Sequence, residues 1–158
     1  MPTMTKPETG EQTFAHFHGR AEPKLRRALI ARYGGEVGRE ATAEALAYGW
    51  EHWERVRRMD NPVGYLYRVG RSRSRRLRPR RSVFEPGPQS ELPWIEPGLP
   101  MALNELSARQ RQVVILVHGF EYTHREVADL LGISRSSVQN HVERGLAKLR
   151  SELEVPHV

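Results

Sequence analysis

The sequence has no cysteine, so disulfide bonds and thiolate metal sites are excluded. It also has no apolar run near the roughly 18 residues that span a bilayer, and residues 1–12 lack the apolar core of a signal peptide. We therefore expect a cytoplasmic protein with no membrane segment. His16 and His18 have the spacing of two metal ligands, but no third ligand lies nearby, so no bound metal is expected.

Catalytic patterns are missing as well. The sequence shows no nucleophile–base pair, no glycine-rich phosphate loop and no metal-ligand cluster. We therefore expect neither an enzyme nor a cofactor.

Positive charge is in excess, with 25 lysine and arginine residues against 19 aspartate and glutamate residues and a net charge of +6. A polyanion such as nucleic acid is the first partner class that this excess suggests. A soluble protein with a merely solvated basic surface would show the same balance, so charge alone does not decide between them.

The spacing of apolar residues is helical, and no strand pattern competes with it, so we predict an all-α chain. Residues 1–12, rich in Thr, Pro, Glu and Gly, are expected to be disordered. Residues 13–78 should form one small helical domain and residues 101–155 a second. Six prolines between residues 79 and 100 favour an extended linker that joins the two domains.

In the first predicted domain, proline and glycine residues indicate where helices begin and end. Pro23 favours a helix start, and Gly34, Gly35 and Gly38 are expected to interrupt the helical pattern.

The most regular helix of the first domain is predicted from Glu40 to Val56. Its core face should carry Ala43, Leu46, Trp50 and Trp53. The opposite face should carry Glu40, Glu44, Tyr48 and Glu51. After it, Asn61 is predicted to cap a helix that begins at Pro62.

Residues 126–142, with the sequence EVADLLGISRSSVQNHV, fit a helix-turn-helix, preceded by capping boxes at Ser107 and Thr123. Ala128 is small enough for a close helix crossing, and Gly132 suits the turn. The second helix should insert its first turns into the major groove. Its DNA-facing side chains are predicted to be Arg135, Ser136, Ser137, Gln139, Asn140 and Arg144. A plain three-helix bundle with a polar surface is the alternative.

The run from Leu103 to Leu153, LNELSARQRQVVILVHGFEYTHREVADLLGISRSSVQNHVERGLAKLRSEL, closely resembles region 4 of extracytoplasmic-function sigma factors. The resemblance implies binding to the promoter −35 element and to the flap of the RNA polymerase β subunit. A response-regulator output domain uses a similar motif, so this half alone does not separate the two classes.

The amino-terminal half of the sequence distinguishes a sigma factor from a response-regulator output domain. Its run PVGYLYRVGRSRSRRLRPRR resembles regions 2.3–2.4 of the same family, and EATAEALAYGWEHW resembles region 2.2. The resemblance implies contacts to the −10 element from Asn61, Tyr65, Arg68, Arg71, Ser72 and Arg75. It implies docking on the β′ coiled coil of core RNA polymerase by Glu40, Glu44, Tyr48 and Glu51. The family often has Gln at the position of Ala43 and Asn at that of Ser72, so the identity of the −10 readers stays open.

The side chains suit this role chemically. Arginines supply phosphate contacts, and aromatic rings beside cations can stack on unpaired bases. Tyr65 and Tyr67 are interleaved with the arginines, and one of the two tyrosines is expected to face the core.

We therefore interpret the sequence as a sigma factor that binds core RNA polymerase and promoter DNA, with an anti-sigma protein as a further partner that the family admits. The alternative is a helix-turn-helix regulator that acts without stable polymerase binding, and co-elution with core polymerase would discriminate between the two. An enzyme fused to a DNA-binding domain is a third class, which no catalytic pattern supports.

The predicted linker can be tested by limited proteolysis of the native chain. Cleavage is expected first within residues 79–100, because a proline-rich stretch without apolar periodicity is accessible to a protease. Fragments are identified by mass spectrometry. Earlier cleavage within residues 40–56 or 124–150 would contradict the proposed division into domains.

Overall fold

The computed structural model describes residues 10–75, residue 77 and residues 98–154, with side chains from Phe14 onward. Every regular element in these residues is helical, as the all-α prediction requires. The amino-terminal half contains α1 (Gly10–Tyr33), α2 (Gly35–Glu51), α3 (Trp53–Val56) and α4 (Pro62–Ser74). The carboxy-terminal half contains α5 (Leu99–Glu105), α6 (Ala108–Val114) with a π-helical turn (Ile115–Gly119), α7 (His124–Leu131) and α8 (Arg135–Glu154). None of these helices is both long enough and apolar enough to cross a membrane.

Helix α1 is longer than predicted. It begins at Gly10, so residues 10–12 are helical where disorder was expected, and residues 1–9 lie outside the described part. Pro23 lies inside the helix and does not start it. A proline there costs about 3 kcal/mol relative to alanine. Phe17 and Leu25 are both buried on the two sides of Pro23, and burial of this continuous stripe outweighs the local cost.

The prediction that glycines interrupt the helix is confirmed at Gly34 and wrong at Gly35 and Gly38. Gly34 has a φ of 89°, a left-handed conformation that ends α1 and allows the chain to reverse. Gly35 and Gly38 lie within α2. At Gly38 a side-chain carbon would stand 2.6 Å from the backbone of Ile30, so the missing side chain is what lets α1 and α2 cross at this distance.

The predicted register of α2 is wrong in part. The predicted helix 40–56 is divided at His52 into α2 and α3. Ala43 is exposed, and Trp50 is 46% exposed, whereas Leu46 and Trp53 are buried as predicted. The buried face of α2 consists mainly of small residues: Val37, Gly38, Ala41, Thr42, Ala45, Leu46 and Gly49. Small side chains on this face allow the close crossing with α1, and Trp50 lies off this face, against the ring of Phe14.

Helix α4 begins as predicted. The Asn61 side-chain oxygen accepts a hydrogen bond of 3.0 Å from the Gly64 N–H, and Pro62 occupies the first helical position. Tyr67 is fully buried and Tyr65 is half-buried, which confirms that one of the two tyrosines faces the core.

The carboxy-terminal half contains the predicted caps. Both capping boxes are formed, at Ser107 and at Thr123. The Ser134 hydroxyl accepts a hydrogen bond of 3.1 Å from the Ser137 N–H at the start of α8. Helix α5 begins at Leu99, inside the stretch predicted as linker, because Ala102 and Leu106 are buried in a small cluster with Leu149 of α8. The rest of that stretch, residues 79–97, lies outside the described part.

The two halves pack against each other. Helix α6 and the π-helical turn contact α1, and α7 contacts α4. A single cluster of buried apolar residues runs through both halves, from Leu25 and Leu29 of α1 to Val113 and Leu116. The boundaries proposed for two domains, 13–78 and 101–155, stay a prediction.

Two glycine substitutions test the crossing of α1 and α2. Gly38→Ala should lower the free energy of unfolding by about 1–3 kcal/mol, because the methyl group would collide with the Ile30 backbone. Gly19→Ala, in an exposed turn of α1 with no atom near the new carbon, should raise it by about 0.5–1 kcal/mol. Urea denaturation followed by circular dichroism measures both. Equal effects would show that the helices can separate at Gly38 without cost.

Candidate nucleic-acid interface

Helices α7 and α8 form a helix-turn-helix with a tight turn. Gly132 has a φ of 69°, and its N–H and that of Ile133 donate to the Ala128 carbonyl at 2.9 and 3.1 Å. Val127 and Val138 are fully buried between the two helices. This core fixes the direction in which α8 leaves the turn.

The first turns of α8 present a polar face. The predicted residues lie together there: Arg135, Ser136, Gln139, Asn140 and Arg144 are exposed, and Ser137 is half-buried. Gln139 donates a hydrogen bond of 3.1 Å to the Glu143 carboxylate, which orients its amide. Guanidinium, amide and hydroxyl groups are the donors and acceptors that read base edges in the major groove.

His141 lies beside this face and is half-buried. Burial, followed by the nearby charges of Arg109 and Arg144, lowers the pKa of its imidazole. Because an ordinary histidine has a pKa of about 6.5, His141 is neutral at pH 7. The positive charge of the α8 surface at that pH comes from its arginines and Lys148.

A second polar face runs along α4. Arg68, Arg71, Ser72 and Arg75 are all exposed, and their spacing places them on one side of the helix. Arg76, Arg78, Arg80 and Arg81, which continue the basic run, lie outside the described residues.

Tyr65 belongs to a cluster of aromatic and cationic groups beside this face. Its hydroxyl lies 3.2 Å from that of Tyr48, and Arg55 donates to both hydroxyls. The Arg68 guanidinium lies 6.0 Å from the centre of the Tyr65 ring. The hydrogen bond with Tyr48, together with burial, raises the pKa of Tyr65, so the phenol stays protonated at neutral pH. A protonated, half-buried ring flanked by guanidinium groups can stack on an unpaired base.

Asn61, the sixth residue predicted at this site, is already engaged. Its oxygen caps α4, and its side-chain amide donates a hydrogen bond of 2.7 Å to the Asp129 carbonyl at the end of α7. Both polar ends of the side chain therefore have protein partners in this arrangement.

The predicted polymerase-facing residues do not form one uniform surface. Glu40 and Glu51 are exposed and Glu44 is half-buried, whereas Tyr48 is turned toward Tyr65. Beside these carboxylates lies a groove between α1 and α2 that the sequence prediction missed. Most of its exposed lining is apolar and comes from Phe14, Ala43, Leu46, Ala47 and Trp50. Polar and charged side chains complete the lining: His18, Glu22, Arg26, Arg39 and Thr42. The ring centroids of Trp50 and Phe14 lie 5.2 Å apart.

The sequence prediction also missed Arg111 and Gln112, which α6 inserts between the two halves of the molecule. A signal for Gln112 was present, because it is four residues before the buried Leu116 and thus shares its helix face. Among the described residues, no group of three or more His, Asp or Glu side chains could hold a metal ion.

The family model for sigma-70, region 4, matches residues 98–149. Among curated proteins, the RNA polymerase sigma-E factor of Streptomyces antibioticus is 42% identical over 53 residues, 34% of this chain and 29% of that protein. The RNA polymerase sigma-E factor of Streptomyces avermitilis is 42% identical over 52 residues, 33% of this chain and 29% of that protein. The chain thus matches less than a third of the length of these curated relatives.

Two solved structures are similar over nearly the whole chain. The sigma factor RpoE of Bartonella quintana, in complex with the anti-sigma factor NepR, has a TM-score of 0.62 at 19% identity and covers 92% of this chain and 99% of its own. CnrH in complex with the cytosolic domain of CnrY has a TM-score of 0.61 at 19% identity and covers 93% of this chain and 91% of its own. At this identity the similarity establishes the fold.

Alanine substitutions on α8 test base reading. Arg135→Ala and Gln139→Ala should each cost about 1–3 kcal/mol on a duplex selected by the chain from a random pool, and should relax the preference at one base pair. Arg150→Ala, an exposed arginine in the last turns of α8, is the matched control and should bind nearly as the unaltered chain does. Fluorescence anisotropy on duplexes altered at single positions measures the effect. Equal losses on every sequence would show that α8 contacts phosphates alone.

Proposed function

We propose that the chain is an extracytoplasmic-function sigma factor, which binds core RNA polymerase and directs promoter-specific transcription initiation. The sigma-70 region 4 match at residues 98–149 and the similarity of the fold to that of a sigma factor support this proposal. The observation that carries the proposal is that one fold holds two separate basic faces, on α4 and α8, and an exposed acidic and apolar face on α2. A protein that only binds DNA gains nothing from the third face.

Helix α8 is assigned to the −35 element. Its exposed Arg135, Gln139 and Asn140 lie at the start of a helix that is held rigidly by the buried Val138 and Val142. A rigid helix places its donors accurately against base edges, and the arginines add attraction to phosphate.

Helix α4 and the tyrosine cluster are assigned to the −10 element. The exposed Arg68, Arg71 and Arg75 would follow the phosphate backbone, and Tyr65 would stack on a base once the strands have separated. Asn61 would join this site only after its hydrogen bond to Asp129 has broken.

Helix α2 is assigned to the β′ coiled coil of the polymerase. Carboxylates repel DNA phosphates, so the exposed Glu40 and Glu51 indicate a basic partner on this side. The apolar groove with its exposed Trp50 gives the same partner a hydrophobic anchor, a residue type common at the energetic centres of interfaces. Contact with the β flap is assigned to the carboxy-terminal half.

The chain has no catalytic role of its own, and it acts in the cytoplasm, where polymerase and promoter DNA meet. An anti-sigma protein is a candidate partner, because one of the two similar structures is a sigma factor in complex with the anti-sigma factor NepR.

The alternative is a regulator that binds DNA without joining the polymerase. The helix-turn-helix taken alone fits this alternative equally well, because that motif occurs in both classes of protein. Co-elution of the chain with core polymerase in size-exclusion chromatography discriminates between them, because an independent regulator would elute separately.

Charge reversal on α2 tests the polymerase contact. Glu44→Arg should abolish assembly with core polymerase and run-off transcription, because it places a cation against a basic partner. Ala47→Arg, at an exposed position in the groove lining, should weaken assembly at least tenfold by blocking the groove. Both are measured by co-elution and by transcription from a promoter template.

Two controls accompany these variants. Glu154→Arg makes the same charge change on an exposed residue at the end of α8 and should assemble normally. Helical circular dichroism must be retained in every variant. If folded Glu44→Arg and Ala47→Arg chains initiate as well as the unaltered chain, α2 is not the docking surface.

A further inference from the structure

Three helices meet at the side-chain amide of Gln112. The amide is fully buried, and it donates to the Ala28 carbonyl of α1 at 2.9 Å and to the Tyr67 hydroxyl of α4 at 2.8 Å. Residues three or four positions apart share a helix face. One turn from each of these three residues, on the face that meets the other helices, stands an arginine: Arg32 on α1, Arg71 on α4 and Arg109 on α6.

Arg111 holds the end of α1 beside the start of α6. Its side chain, only 6% exposed, donates to the Ala31 carbonyl at 3.2 Å and to the Arg32 carbonyl at 2.6 Å. These carbonyls belong to the last turn of α1, where no further helical N–H is available to them. The charge of Arg111 is therefore offset by carbonyl oxygens and by the dipole of α1.

Arg32 and Arg109 have no such compensation. Arg32 Nε and Nη1 and Arg109 Nη1 are buried without a hydrogen-bond partner among the described residues. Neither side chain forms an ion pair with a carboxylate in the part of the chain that the structure describes. A buried charged donor without an acceptor is costly, and in a native fold it indicates a bound water or ion.

Positive charge accumulates at this junction. Burial lowers the pKa of Arg109, and the nearby charges of Arg32 and Arg71 act in the same direction. On α8, burial and then the charges of Arg109 and Arg144 lower the pKa of His141, so α8 also reaches the junction. Cations brought together in a partly buried place repel one another, and an anion among them would remove that repulsion.

The chemistry of the junction suits a phosphate group. A guanidinium binds two phosphate oxygens at once, and Arg32 and Arg109 are only partly buried, so part of each group faces solvent. Three cations favour an anion that carries more than one charge on a single group. A phosphate monoester carries about −1.5 to −2 at pH 7, whereas each backbone phosphate of DNA carries one charge.

We propose that the junction of α1, α4 and α6 is a binding site for a small anion with a terminal phosphate or diphosphate group, held by Arg32, Arg71 and Arg109. Arg111 and Gln112 shape the site from below, because they donate to oxygen atoms of the protein itself. The inference goes beyond the proposed function, with which the site shares only Arg71.

Calorimetric titration of the full chain with inorganic diphosphate, at constant ionic strength, tests the site. The unaltered chain should bind one diphosphate. Arg32→Gln and Arg109→Gln should each weaken this binding about tenfold or more, because each removes a guanidinium that grips two oxygens. Arg150→Gln, at an exposed position near the end of α8, is the matched control and should bind as the unaltered chain does. No binding by the unaltered chain, or equal binding by Arg109→Gln, would overturn the proposal.

Thermal unfolding separates an anion ligand from a merely structural arginine. In a phosphate-free buffer, Arg109→Gln should raise the unfolding temperature, because it removes a buried like charge. With diphosphate, the unaltered chain should become more stable and the variant should not. A lower unfolding temperature of the variant in both buffers would overturn the proposal. If Arg109→Gln loses helicity, Arg109→Lys keeps the charge without the fork and should still weaken diphosphate binding severalfold; unchanged binding would again overturn the proposal.

A duplex selected by the chain from a random pool distinguishes a small anion from the phosphates of DNA. Arg32→Gln should bind this duplex as tightly as the unaltered chain does, although it has lost diphosphate. Fluorescence anisotropy measures the duplex and calorimetry the diphosphate. An equal loss of affinity for both would assign the junction to the DNA backbone and overturn the small-anion site.

Discussion

Helix α1 ends inside the molecule, and its last carbonyl groups must find donors there. Arg111 supplies them from the other half of the chain, and Gln112 adds a hydrogen bond to the Ala28 carbonyl, earlier in α1. The contact fixes where α6 lies, and α6 in turn supports α8 through the buried Val114 and Gly145, where a side-chain carbon would stand 2.6 Å from Val114. This buried polar contact, together with the apolar cluster that runs through both halves, fixes the position of α8 relative to the amino-terminal half.

Charged side chains lie in three kinds of environment. Basic residues of α4 and α8 are exposed, and three exposed carboxylates, Glu36, Glu40 and Glu51, lie on α2, which also lines an apolar groove. The buried arginines are a separate case, because they lie where the two halves meet. The net positive charge of the sequence therefore hides three different environments: exposed basic faces, the acidic side of α2, and arginines buried between the two halves.

The elements that sequence predicted well are those fixed by local chemistry. Ser107, Thr123, Asn61 and Gly132 cap or end helices through bonds to residues within four positions, and each acts as expected. The α8 face is also local, because helical spacing alone places Arg135 to Arg144 on one side. The predictions were wrong where contacts with residues distant in the sequence determine the local structure. Pro23 stays inside α1 because residues on both sides of it are buried by other helices.

The sequence by itself determined the all-α class, the helix-turn-helix and the polar face at the start of α8, because caps, turn glycines and helical periodicity depend on near neighbours. Only the tertiary structure decided that Trp50 is exposed, because this depends on which side of α2 packs against α1 and α4. Only the tertiary structure brought Arg111 and Gln112 to the end of α1, about 80 residues away along the chain. No local pattern specifies which buried carbonyl a polar side chain will reach, because that depends on how complete helices pack.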